Sequence, residues 1–136
     1  MSIEEENKAL IHRFYEYLKR KEFDTLYDII APEFISHRTT GDISREDLIQ
    51  GCRKSYDAFP DNTYTIEDMV AEGDRVAYRV TVRGTHHGEY MGIAPTGNKI
   101  EQTNQAFIRI ADGKWVEAWA TLDDLRMMQQ LGAIPS

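Results

Sequence analysis

Gly84-Thr85-His86-His87-Gly88, Gly92-Ile93-Ala94-Pro95-Thr96-Gly97, Asp112-Gly113-Lys114, Trp119-Ala120-Thr121-Leu122-Asp123 and Gln129-Gln130-Leu131-Gly132 punctuate the last third of the chain. Around them, residues 63–71, 75–86, 99–111 and 114–121 are rich in β-branched and aromatic side chains with a period of two, which predicts strands. Glu72-Gly73-Asp74 and Asp112-Gly113 are turn sequences that join those strands as hairpins, so the sheet is expected to be mostly antiparallel. Asp123 closes a Trp-bearing strand just before a short apolar helix expected over 125–131, with Gly132 as its stop. An acid at that junction suits a small α+β cone that points a carboxylate into its own cavity.

Upstream the period changes to about 3.6. Leu10, Ile11, Phe14, Tyr15 and Leu18 recur three and four residues apart, and Glu4, Glu5 and Glu6 lie where the helix dipole favours negative charge. This predicts a helix over 2–21. Phe23, Leu26, Tyr27, Ile29 and Ile30 predict a second, shorter helix ended by Pro32. Ser44-Arg45-Glu46-Asp47 has capping-box spacing and precedes Leu48, Ile49, Cys52, Tyr56 and Phe59, a third helix closed by Pro60. Helices first and strands afterwards give an α+β fold with helices on one face of a curved sheet. No repeat or linker divides residues 1–136, which are read as one domain.

Composition narrows the partners. Lys plus Arg number 16 against 23 for Asp plus Glu, a net charge of −7 with no basic stripe, which argues against nucleic acid. The single cysteine, Cys52, has no internal disulfide partner and suits a reducing cytoplasm. The acidic start and the lack of a long apolar run point to a protein that does not enter membranes. The four histidines lack metal-ligand spacing, and the glycines match neither a phosphate loop nor a dinucleotide fingerprint. No metal, nucleotide or other cofactor is therefore expected.

The ordered motifs of the last third resemble the SnoaL-like polyketide cyclase family within the NTF2-like folds. The resemblance covers nearly the whole chain. It implies a cone whose concave face encloses a pocket and whose convex face packs against a second subunit. It also implies cofactor-independent aldol-type cyclisation of a small, largely apolar carbonyl compound, with an aspartate at the position of Asp123 acting as acid and base. A non-catalytic small-molecule-binding protein and ketosteroid-isomerase-like proton transfer are the alternatives, since this fold hosts many activities.

Each candidate residue has a functional and a structural reading. Asp123 can serve the cavity or cap the last helix, and the adjacent Asp124 can take whichever role it leaves. His37, flanked by Ser36 and Arg38, falls where similar sequences have a histidine at the pocket mouth; a solvated loop residue is the other reading. His86 matches the family's Gly-x-His-x-Gly pattern and can face the pocket or bond the following loop. Tyr15, Tyr56, Phe59, Met91, Gln105 and Trp119 are the expected substrate contacts, and Trp119 the apolar wall beside the acid. Gln102 and Asn104 share one strand face with Ala106 and Ile108, and Gln105 falls on the other. On the preceding strand, Val76, Tyr78, Val80 and Val82 alternate with Ala77, Arg79, Thr81 and Arg83. The second set is expected on the outer face of a homodimer, with Arg79 and Arg83 pairing acids across it.

Overall fold

The computed structural model describes all residues from Met1 to Ser136. Helix α1 spans Ile3–Lys19; the Ser2 side chain accepts from the Glu5 N–H at 3.1 Å, and three glutamates occupy the first turn. Its face of Leu10, Ile11, Phe14 and Leu18 is buried. Each such side chain removed from water contributes roughly 1.5–3 kcal/mol.

The region after α1 corrects the sequence reading. Phe23–Asp28 is a single 3₁₀ helix, and the chain turns at once into strand β1, Ile30–Arg38, which runs through Pro32. Proline is tolerated because the β1 ladder with its neighbour shifts between Ile30 and Ile35, so the missing N–H leaves no broken pair. Phe34, Ser36 and the preceding Ile30 are buried, and the residues between Phe34 and Arg38 alternate between the two faces of the sheet. Strand β2, Gly41–Ser44, pairs back on β1 and delivers the cap of α2, Arg45–Ala58. That cap is a full box. Ser44 Oγ accepts from Asp47 N–H at 3.2 Å and Asp47 accepts from Ser44 N–H at 2.9 Å, so the shorter aspartate does the work of glutamate.

Strands β3 (Thr63–Glu72), β4 (Arg75–Thr85), β5 (Lys99–Ala111) and β6 (Lys114–Thr121) follow where the period of two placed them. Asp112 and Gly113 both have positive φ, 52° and 72°, as the tight β5–β6 turn requires. The six strands form one sheet in the order β2-β1-β6-β5-β4-β3. Every pairing is antiparallel except β1 with β6. The last helix, α3 (Asp124–Gln130), ends at Gly132 with φ 75°.

The helices cover one face of this sheet. Trp115 of β6 stacks on Phe14 of α1 with ring centroids 4.3 Å apart, and Val76, Tyr78 and Val80 of β4 share that core with Phe34 and Ile49. A smaller cluster of Ala58, Phe59, Ile100, Met127 and Leu131 holds α3 against the end of β5. The opposite face carries Arg79, Arg83 and Phe107 into solvent. Arg83 pairs within its own chain, with Glu101 at 3.1 Å. No helix is long and apolar enough to cross a membrane.

Candidate active site in the sheet cavity

Between the helices and the inner face of the sheet lies a cavity of about 260 Å³. Its walls are mostly apolar, with Phe14, Leu18, Phe34, Phe59 and Trp115 prominent among them. Into these walls the strand period sets a small number of polar groups. From β1 come Ser36 and Arg38, from β3 Tyr64, from β4 Tyr78, from β5 Gln102 and Asn104, and from α1 Tyr15.

Two hydrogen-bonded systems organise them. The Tyr15 and Tyr78 hydroxyls lie 2.8 Å apart. Burial first, and then the neighbouring phenol, pushes Tyr15 well above its ordinary pKa; burial pushes Tyr78 up to about 12. Both are therefore neutral donors near pH 7. One proton of the pair is used between them, which leaves the other for a ligand. At the α3 end, Gln102 Nε2 donates to Asp124 Oδ1 at 3.3 Å and Asn104 Nδ2 lies 3.5 Å from Gln102 Oε1. Asn104 Oδ1 in turn accepts from the Asp123 N–H at 3.0 Å.

The aspartate pair has divided its two roles. Asp123 caps α3, accepting from the Arg126 N–H at 3.2 Å, and its side chain is exposed. Asp124, also exposed, touches the cavity wall through Gln102. It lies close enough to reinforce the upward pKa shift of Tyr90, which burial chiefly causes. Asp47 is the carboxylate on the lining itself, but its bonds to Ser44 hold it below the usual range, which makes it a poor proton acceptor.

Several other expected contacts lie elsewhere. His37 and Trp119 are on the outer face, with ring centroids 5.6 Å apart, because the register that pairs them sends both side chains away from the helices. His37 sits between Glu117 at 2.7 Å and Asp42 at 3.0 Å, and hydrogen bonds to Glu117 first and Asp42 second raise its pKa. Glu117 also accepts from Arg109 at 3.1 Å. The wall that Trp119 was expected to give the acid is thus not in the cavity; Trp115 lines it instead. Gln105 borders the cavity along β5 but is itself exposed beside the open outer groove.

His86 is fully buried, packs at a tilt against Phe59 with ring centroids 5.3 Å apart, and does not line the cavity. Its Nδ1 accepts from the Thr96 N–H at 3.2 Å, which ties down the loop that follows and leaves the ring proton on Nε2. Tyr56 is buried against Phe23 and Tyr64, outside the lining. Met91 is 69 % exposed. Of the expected contacts, Tyr15 and Phe59 do line the cavity. Cys52 lines it too, as a thiol that burial pushes up to about 12. No group of three or more His, Cys, Asp or Glu side chains is arranged to hold a metal ion.

Ser36, Arg38, Asn62, Tyr64, Tyr78 and Trp115 are among the wall groups bearing polar atoms that sequence reading did not single out as ligand contacts. Alternation through Phe34, Ser36 and Arg38 was the available signal, masked by reading 23–30 as a helix and its sequel as a loop.

The family model for SnoaL-like polyketide cyclases matches residues 9–131. The chain belongs to the SnoaL-like polyketide cyclase family. AclR of Streptomyces galilaeus, a proposed hydroxylase, superposes with a TM-score of 0.89 at 30 % identity, over 96 % of this chain and 83 % of AclR. IdmH of Streptomyces antibioticus, a proposed polyketide cyclase, gives 0.82 at 35 % identity, over 93 % of this chain and 98 % of IdmH. A SnoaL-like protein of Jannaschia sp. CCS1 gives 0.88 at 22 % identity over 99 % and 97 % of the two chains, a likeness of fold alone. No curated protein matches. The architecture described above, helices on a curved mixed sheet enclosing a pocket, is the NTF2-like cone of this family.

Proposed function

We propose that this SnoaL-like protein is a cofactor-independent cyclase, or a related lyase or isomerase, acting on a small carbonyl compound. The observation that carries the reading is an apolar cavity whose polar line, Asn104 to Gln102 to Asp124, leads to a carboxylate at its α3 end. Asp124 takes the proton of a methylene between two carbonyls, and the electrons of the broken C–H bond move to oxygen as an enolate. The enolate carbon then bonds to a second carbonyl carbon of the same molecule, and the new alkoxide recovers the proton from the aspartic acid. The neutral Tyr15–Tyr78 pair stabilises the developing enolate oxygen by donation. The closed wall restricts the chain to a cyclising conformer.

Asp123, which the family pattern singles out, reaches the cavity only by releasing the Arg126 N–H. Asp124 is therefore our first choice. Proton transfer without ring closure, as in ketosteroid isomerase, uses the same phenol donors and begins with the same deprotonation.

The experiment is hydrogen–deuterium exchange and product analysis on a panel of β-dicarbonyl compounds, with the wild type, Asp124→Asn and Asp123→Asn. Catalysed exchange with a cyclised product supports the cyclase. Exchange without ring closure supports the isomerase, and neither, in a protein that binds the compounds, leaves a binding protein. Association of two copies through the outer face, where Phe107 is 55 % exposed, belongs to the same proposal and is read by light scattering at micromolar concentration.

A further inference from the structure

Arg38 is a cation without a partner. Its Nε is fully buried with no hydrogen-bond acceptor, and its guanidinium makes no ion pair with any carboxylate of the chain. It is near enough to Tyr78, Cys52 and Tyr90 to oppose the upward shift of each. An arginine stays charged at any ordinary pH, and a chain with seven surplus negative charges has carboxylates to spare for it. None is supplied. Arg38 as a whole is half-buried, but an N–H shut away from water without an acceptor costs free energy, so the cavity retains the guanidinium for something that arrives.

The sheet register shows where that something fits. His37 pairs with Trp119, which puts Ala120 one residue further along β6, beside Arg38; Ala120 pairs with Ala106 of β5, and Ala106 with Tyr78 of β4. The row across the inner face therefore reads arginine, alanine, alanine, tyrosine. Three strand spacings separate its ends, about 14 Å. Two alanine methyl groups lie between the long arginine and the phenol, and all four residues line the same cavity. The Tyr15–Tyr78 pair, with its one spare proton, lines the same cavity. Apolar walls, one cation and one neutral donor suit a monoanion with an apolar body, and a carboxylate matches the guanidinium fork.

We infer that the cavity binds a small organic acid, its carboxylate held over the Ala106–Ala120 floor by Arg38, while the spare proton of the Tyr15–Tyr78 pair serves the keto oxygen of the same ligand. The inference rests on the reading of this cavity as the ligand site, and it makes the ligand a keto acid rather than a neutral ester or ketone. Anchored there, the acid's apolar body extends toward Gln102 and the α3 end. An alternative source of negative charge is the enolate oxygen formed during turnover, which would engage Arg38 only in the reaction.

The test is calorimetric titration of the full chain with 4-oxo-4-phenylbutanoate and with its methyl ester. The acid should bind at least about tenfold more tightly than the ester, and Arg38→Gln should remove that preference while leaving ester binding within about twofold. Equal affinity for acid and ester, failure of the acid to bind at millimolar concentration, or an unchanged preference in Arg38→Gln would each overturn the inference. The wild-type comparison decides the matter even if Arg38→Gln does not fold. An Arg38 that serves only the enolate shows no acid preference and a fall in turnover alone, and so also overturns it. Asp124→Asn should keep the acid preference, because the carboxylate site does not involve α3. Loss of all turnover on the β-dicarbonyl panel with the preference intact would remove the catalytic reading and leave this one standing.

Discussion

The two faces of one sheet handle charge in opposite ways. On the outer face charged groups are paired or open to water: His37 lies between Asp42 and Glu117, Arg109 on Glu117 and Arg83 on Glu101, while Arg79 is exposed. On the inner face Arg38 Nε, Asn62 Oδ1 and Trp115 Nε1 are buried and unmatched, although all three residues line the cavity. Exposed pairs are screened and add little stability, and unmatched groups behind an apolar wall cost free energy that folding alone does not recover. The satisfied face is structural and the unsatisfied one is poised for a ligand. Neighbouring residues, His37 and Arg38, fall on opposite sides of that division.

The largest expected effect separates the two acids of α3. Asp124→Asn should lower turnover by roughly 10²- to 10⁴-fold while the thermal midpoint stays close to that of the wild type. Asp123→Asn keeps a capping side chain and should cost far less activity. Reversal of that order in steady-state kinetics would transfer the proton to Asp123 and show that the cap opens on binding.

Gly88 measures how closely the loop after β4 packs on the C-terminal end of α2. A Cβ there would meet the Asp57 carbonyl oxygen at 2.4 Å, a backbone atom that cannot swing aside. Gly88→Ala should therefore destabilise the protein by about 1–3 kcal/mol in urea unfolding. A neutral result would mean that the loop after β4 moves freely relative to α2. Asp123→Ala, which removes the cap of α3 without touching the cavity, should cost roughly 0.5–2 kcal/mol by the same measurement.

The smallest effects belong to the outer face. His37→Gln should leave turnover within about twofold, since the ring is directed away from the cavity; a large loss would break the division between the faces. In the wild type the His37 imidazole should titrate above the ordinary value of about 6.5, read by NMR. The sign follows from the raised folded value: whatever stability protonated His37 contributes is fully present below about pH 6.5 and is lost as pH rises through the folded pKa. Titration at or below the ordinary value would mean that the bonds to Glu117 and Asp42 do not persist in solution.

The strands from Thr63 onward were legible because each carries an uninterrupted period of two between glycine-bearing turns. Ser44 to Asp47 announced α2 for an equally local reason. The stretch from Phe23 to Arg38 was not legible, since Leu26, Ile29 and Ile30 fit a helical face as well as the start of a strand, and only the parallel partner β6, some 80 residues away, decides between them. That one ambiguity carried over to the site. With β1 unseen, His37 could be placed near a pocket mouth and Arg38 passed as a flanking residue. Trp119 and Trp115 were similarly beyond local pattern, because the register shift between Arg109 and Ile110 sets which tryptophan turns inward. Tyr15 and Phe59 were readable from periodicity; the period of two also set Gln102 and Asn104 apart from Gln105, but it does not say which face turns inward, and the contact expected at Gln105 falls instead to Gln102 and Asn104.

A crystal structure of the chain soaked with a keto acid tests the central claim most directly. The account predicts density in the inner cavity, with a carboxylate oxygen within hydrogen-bond distance of Arg38 and the ligand body against Trp115 and Gln102. Density instead in the outer groove, between His37 and Trp119, with the cavity unchanged, would contradict it.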